Sequence, residues 1–154
     1  MYSNQTTITF QCNSEMISIG SSVYNDRDLI FIRVCKKRQN GETYFTQRGI
    51  SLDFKCYLEL LNGIKELGKF LGEERIVSMI TKNALNEVWI KSTWFTGDPR
   101  IDIRTYFFNG VDFIPTRKGI SIPIDYYPQL LDSIERLGDR FNFDELDYQK
   151  AVVI

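Results

Sequence analysis

The sequence carries one text twice. Arg48-Gly49-Ile50-Ser51-Leu52 returns 70 residues later as Lys118-Gly119-Ile120-Ser121-Ile122. The register then runs without a gap through Tyr57/Tyr127, Leu60/Leu130, Leu61/Leu131, Ile64/Ile134, Leu67/Leu137 and Gly68/Gly138. Upstream, after one short length difference at a turn, Ile30-Phe31-Ile32-Arg33 falls on Ile101-Asp102-Ile103-Arg104. A unit of half this chain buries little core alone, so two copies of one supersecondary unit are expected to pack on each other. The expected division is residues 1–72 and residues 73–154, with the joint around Gly72-Glu73-Glu74-Arg75.

Each half opens with strand-like text and closes with a helix. Thr6 to Phe10, Met16 to Tyr24 and Leu29 to Cys35 are rich in β-branched and aromatic residues. Asn40-Gly41 signals a hairpin turn, and Thr43 to Thr46 reads as the return strand. In the second half the strands are Glu87 to Phe95, Ile101 to Phe108 and Val111 to Ile114, with turns at Gly97-Asp98-Pro99 and Asn109-Gly110. Phe54, Tyr57, Leu58, Leu61, Ile64 and Leu67 follow helical spacing, with a further turn suggested by Phe70-Leu71. The matching helix starts near Pro123 and carries Ile124, Tyr127, Leu130, Leu131, Ile134 and Leu137 on one face. Gly68 and Gly138 are candidate helix caps. Strand–strand–strand–helix, twice, is an α+β plan, with helices on the inner sheet faces and the outer faces wet.

Composition narrows the function classes. There is no histidine, which removes the commonest general base and metal ligand, and the chain is not expected to be an enzyme. Asp102, Asp112 and Asp125 have no spacing that suggests a metal nuclease, and Gly20, Gly41, Gly49 and Gly63 are isolated punctuators rather than a phosphate loop. No cofactor is expected. Three cysteines, Cys12, Cys35 and Cys56, are odd in number and lack metal-type spacing, so they read as reduced thiols of an intracellular protein. No signal peptide is visible at Met1 to Gln5, and no apolar run approaches a membrane span, so a membrane partner is not expected.

Net charge is −1, but it is unevenly spread. Arg33, Lys36, Lys37, Arg38 and Arg48 are opposed only by Glu42, whereas Asp125 to Asp147 holds seven acidic residues against Arg136 and Arg140. One strongly positive face is compatible with that distribution. Alternation puts Asp102, Arg104 and Tyr106 on one face of a strand, and Phe31, Arg33, Cys35 and Lys37 on the equivalent one. Arginine among aromatics on a sheet suits single-stranded nucleic acid, because guanidinium holds phosphate and rings stack on bases. A surface arginine beside half-buried aromatics is the commoner alternative. Lys36-Lys37-Arg38 next to Asn40-Gly41 is either a solvated hairpin tip or a phosphate clamp. Trp89 and Trp94 have opposite parity, and Trp89 is expected in the core.

Ile101-Asp102-Ile103-Arg104-Thr105-Tyr106-Phe107, a turn, then Arg117-Lys118-Gly119-Ile120-Ser121 resembles the signature of the transcriptional coactivator family called positive cofactor four. The resemblance runs from Trp94 to Leu137, and the first half shares it mainly through its relation to the second. It implies a curved antiparallel sheet followed by one helix, dimerised through the helices, that binds single-stranded DNA. Here two tandem copies would form an intramolecular pseudo-dimer through helices at 54–67 and 123–137. The resemblance places the ridge aromatic on Phe95 and Tyr24, the strand arginine on Arg104 and Arg33, and the next aromatic on Phe107, with Lys36 in the first copy. The basic pair falls on Arg117-Lys118 and on Gln47-Arg48. Parity favours Tyr106 over Phe107 beside Arg104, unless a bulge intervenes. Family lysines are replaced by Thr96, Asp98 and Ile114, with Arg27, Lys36, Lys37 and Arg38 as partial compensation in the first copy.

The function implied is sequence-tolerant binding of single-stranded DNA, with RNA as a variant, during transcription, replication or repair. Tyr24, Phe31, Phe95 and Phe107 would be the stacking platforms along a positive channel. The acidic stretch from Asp139 to Asp147 would lie away from that channel or compete for it. The alternative is a transcription-regulatory module that contacts transcription or replication proteins and binds nucleic acid weakly or not at all. A monomeric pseudo-dimer and a higher homo-oligomer both remain open.

Overall fold

The computed structural model describes residues 3–140. The first repeat is a four-stranded antiparallel meander of β1 (Ser3–Cys12), β2 (Glu15–Tyr24), β3 (Arg27–Lys37) and β4 (Thr43–Asp53). One 3-10 turn, Phe54–Cys56, leads into helix α1 (Tyr57–Leu67). The second repeat has the same order: β5 (Arg75–Thr81), β6 (Asn86–Phe95), β7 (Asp98–Phe108), β8 (Phe113–Pro123), a 3-10 turn at Ile124–Tyr126, and helix α2 (Tyr127–Arg140). Residues 139–140 are thus the only described part of the acidic stretch.

Turn chemistry sets the hairpins. Gly41 and Gly110 take φ of +89° and +100°. Asn40 and Asn109 fold their side chains back onto the loop, Asn109 Oδ1 accepting from the amides of Val111 and Asp112 at 2.9 Å each. Two of the remaining turns are tighter than the sequence reading had them. Asn25 and Asp26 both have positive φ, as do Thr96 and Gly97, so β3 begins at Arg27 and β7 at Asp98, with Pro99 inside the strand. Two-residue turns of this handedness match the strand twist.

Three further expectations need correction. The second repeat has four strands, because Arg75–Thr81 pairs with β6 at the sheet edge. Helix α1 ends at Leu67 and Phe70-Leu71 lies in the turn that follows; α2 begins four residues after the last position of β8, Pro123. The return strands extend far beyond Thr46 and Ile114, to Asp53 and Pro123, so the repeated Gly-Ile-Ser text is strand.

Alternation gives each sheet one apolar face. Ile17, Ile19, Ile30, Ile32, Ile50 and Leu52 supply it in the first sheet, and Val88, Ile90, Ile101, Ile103, Ile120 and Ile122 in the second; all are buried. Each helix covers the other repeat's sheet. Helix α1 packs on β5 and β6, helix α2 packs on β1 and β2, and the helices touch each other. The close seat of α1 depends on Gly63, where a methyl would sit 2.6 Å from Ile90 Cδ1 and 3.2 Å from Ser78 Cβ. Strand β4 lies against β8, so the seam between sheets and the crossed helices close one continuous core.

A pair of tyrosines locks the crossing. Tyr57 donates its hydroxyl to the carbonyl of Ile134 at 2.6 Å, and Tyr127 donates to the carbonyl of Ile64 at 2.7 Å. Gly68 caps α1, though not in the left-handed conformation, Gly138 does not cap, and both face these rings. Gly68 has φ of −59°, Gly138 lies within α2, and a methyl on either would overlap the opposite tyrosine. Burial pushes the Tyr57 phenol up to about 12 from its ordinary 10.0, and that of Tyr127 up as well. The folded state therefore favours the neutral phenol. This contribution is fully present below pH 10 and is lost as pH rises toward 12. Melting temperature should fall across that window, and Tyr57→Phe should fall less; equal falls would assign the alkaline loss to other groups.

Candidate nucleic-acid interface

The second face of each sheet, turned from the apolar core, carries the arginines. In the first sheet Arg33 lies opposite Ser18 on β2 and Gly49 on β4; in the second, Arg104 lies opposite Trp89 and Gly119. The repeated glycine has a steric cause. A methyl at Gly49 would overlap the Ile32 carbonyl and come 2.7 Å from Arg33 Cα, and one at Gly119 would come 2.8 Å from Arg104 Cβ. Just beyond, each return strand bulges. Thr46 and Thr116 turn their hydroxyls onto the carbonyls of Val34 and Thr105, at 2.9 and 2.7 Å, and their oxygens accept from the amides of Arg48 and Lys118. The bulge thus lies in β4 and β8, not beside Phe107 in β7.

The two arginines have different surroundings. Arg104 is held within its own sheet: Nε and Nη2 reach the Asp102 carboxylate on β7 at 3.1 and 3.2 Å, and Nη1 donates to the Thr116 carbonyl on β8 at 2.9 Å. The first repeat has Phe31 where the second has Asp102, and Arg33 has no ion pair among the described residues. Its guanidinium lies 6.0 Å from the Phe45 ring centre, and its Nε is buried without a hydrogen-bond partner. A buried, unpartnered guanidinium nitrogen is a position where an anion or water completes the bonding.

The aromatics divide into exposed and closed. Tyr24 and Phe95, at the tips of matching hairpins, are 43% and 66% exposed. Phe107 is exposed on the other side of β7 from Tyr106. Phe31 and Tyr106 are each 5% exposed, which removes them as open stacking platforms. Phe31 is covered edge-on by Phe45 at 5.5 Å, and Tyr106 is stacked on Trp89 at 3.9 Å with Lys91 over its ring. Trp89 accordingly lies on the arginine-bearing face and not in the apolar core. Phe45, partly exposed, was missed: beyond the bulge its parity could not be counted from Arg33.

Among the remaining cations, Lys36, Lys37 and Arg38 are exposed at the end of the β3–β4 hairpin, with Arg38 4.5 Å from the Tyr44 ring centre. Arg48 and Lys36 both pair with Glu15. Arg117 and Lys118 are exposed and have no ion pair among the described residues. At the seam, a cleft of about 420 Å³ brings together Arg33, Gln47, Gly49 and Ser51 with Lys82, Thr105 and Lys118. Lys82, which sequence reasoning did not single out, donates to Ser51 Oγ at 3.3 Å. Burial first, then Lys118, Arg33 and Arg27, push its ammonium below the ordinary lysine value.

Cys12, Cys35 and Cys56 are buried free thiols, pushed up first by burial. Among the described residues no cluster of acidic, cysteine or histidine side chains could hold a metal, and no helix is long and apolar enough to cross a membrane. No curated protein matches the chain. Solved structures similar to it include two crystal forms, orthorhombic and tetragonal, of a PC4 homolog from Burkholderia pseudomallei. They are 27% and 28% identical, cover 40% and 39% of this chain and 84% and 90% of theirs, and each has a TM-score of 0.36. Residues 83–133, the segment that frames Arg104 and the first half of helix α2, match the family described as Transcriptional Coactivator p15 (PC4).

Proposed function

We propose that this chain binds single-stranded nucleic acid, DNA first, without reading sequence, in transcription, replication or repair. The observation that carries this reading is the matched pair of arginines on the non-core sheet faces, flanked by the exposed aromatics Tyr24 and Phe95. The family match over residues 83–133 supports it. Backbone phosphates would meet Arg33, Lys37, Arg38, Arg117 and Lys118, and bases would stack on Tyr24 and Phe95. Arg104, Arg48 and Lys36, already paired with Asp102 and Glu15, would contribute less. No catalytic step is assigned, and the buried free thiols fit a reducing, intracellular setting.

The test is anisotropy of a labelled strand of about 20 nucleotides, longer than the ~4–16 covered by one single-strand-binding module, beside its duplex. The single strand should bind better, and affinity should fall as salt rises, since phosphate contacts release counterions. Arg33→Ala with Arg104→Ala should weaken binding by at least about tenfold, as expected for losing charge-assisted bonds. Unchanged binding in that double variant would overturn the assignment of the arginines. The pairing of Arg104 and Arg48 with carboxylates favours one second reading, a regulatory module for transcription or replication proteins. Absence of strand binding at low salt would establish that reading over the first.

A further inference from the structure

The seam cleft and its pseudo-symmetric counterpart differ in charge. In the cleft, Arg33, Lys82 and Lys118 converge from three strands or turns, and no carboxylate lines it. None of the three has an ion pair among the described residues. The positions related by the repeat are neutralised one by one. Arg104, matching Arg33, is held by Asp102; Arg48, matching Lys118, is held by Glu15. Asn13, which follows β1 as Lys82 follows β5, is uncharged and bonded to Tyr126. Ser121, matching Ser51, receives Arg100 of its own sheet at 2.8 Å, whereas Ser51 receives Lys82 from across the seam.

Three mutually repelling cations, two of them partly buried, are costly to hold together without a counter-charge. Two buried polar atoms of the lining residues, Arg33 Nε and Thr105 Oγ1, also lack a partner. An oxyanion answers both deficits. It supplies negative charge to the ammonium groups and acceptor lone pairs to the guanidinium, and the surrounding donors Ser51 and Gln47 suit a multi-oxygen acceptor.

We propose that the seam cleft is a one-sided phosphate site, held by Arg33, Lys82 and Lys118, with no equivalent on the other side of the pseudo-twofold. The phosphate comes either from a nucleic-acid backbone or from a free phosphate compound. The first source rests on the strand-binding reading above, and the second does not. Lys82 is then a specificity-determining residue contributed by the second repeat to the first repeat's arginine.

Inorganic pyrophosphate and the same labelled strand serve as probes, against the full chain and the variants Lys82→Gln and Lys118→Gln. Lys69→Gln, a surface lysine paired with Glu66 and outside the cleft, is the charge-matched control. Pyrophosphate should raise the melting temperature of the parent and of the control. Each cleft variant should weaken pyrophosphate binding by about tenfold, the scale of one charge-assisted bond. Lys118 is exposed, so its variant keeps the test sound if Lys82→Gln fails to fold. Strand affinity falling in parallel would identify the backbone as the source. Strand affinity unchanged, with pyrophosphate lost, would identify a free phosphate compound and leave the strand reading to its own test. Pyrophosphate binding absent, or equal in the cleft variants and the control, would overturn the phosphate site even if strands bind.

Discussion

Ile64→Ala should destabilise the second sheet, although residue 64 belongs to the first repeat. Its side chain is fully buried in the continuous core, and helix α1 lies on β5 and β6. Removing that much buried aliphatic surface costs about 2–5 kcal/mol, depending on how far the site collapses. Both tryptophans, Trp89 and Trp94, lie in β6, so their fluorescence reports the second sheet. In urea, tryptophan fluorescence and far-ultraviolet circular dichroism should shift together to a lower midpoint. Amide exchange in β5 and β6 should quicken. A biphasic transition, or a tryptophan transition left in place, would mean that the repeats fold independently and that the crossing contributes little.

Gly138→Ala should cost about 1–3 kcal/mol, the range for forcing extra volume into a well-packed site. The added methyl meets the Tyr57 hydroxyl and comes 2.6 Å from the ring carbon that bears it. Tyr57→Phe removes that oxygen and with it the hydrogen bond to Ile134, worth about 1 kcal/mol net. The double variant should therefore lose less than the sum of the two, because the second change makes room for the first. A glycine needed only as a helix cap would give additive losses, since a cap does not depend on the phenol oxygen. Chemical denaturation of the four proteins decides between these.

The parts of the fold legible in the sequence are those written locally or by repetition. The α+β plan, the two hairpins at Asn40-Gly41 and Asn109-Gly110, and the apolar helix faces follow from turn chemistry and period. Strand β5 was missed because Arg75–Thr81 is a mostly exposed edge strand without clean alternation; Ile76 and Met79 are exposed and only Ile80 is fully buried. The crossing of the helices was not legible, since an apolar stripe states that it needs a partner but not which sheet provides it. Gly68 does cap α1 and Gly138 does not, and only the opposed tyrosines reveal the steric need for glycine at both. At the candidate interface, alternation placed Arg33, Arg104 and Tyr106 on the sheet faces turned from the core, where the structure has them. It could not tell that Phe45 closes Phe31 or that Trp89 closes Tyr106, because cross-strand register fixes those neighbours. Lys82 was invisible for the same reason: it follows an unrecognised strand and acts across the seam.

Phe31 stands where Asp102 stands in the other repeat, and that difference has a geometric consequence. A two-fold symmetric receptor offers a directional polymer two superposable orientations, so it is blind to which end leads. Two copies joined in one chain are free to diverge, as two identical subunits are not. With one arginine screened by a carboxylate and the other left open, turning an extended strand end for end no longer gives the same complex. In the strand-binding role proposed above, that asymmetry would distinguish the 5′ direction from the 3′ direction without any contact with a base.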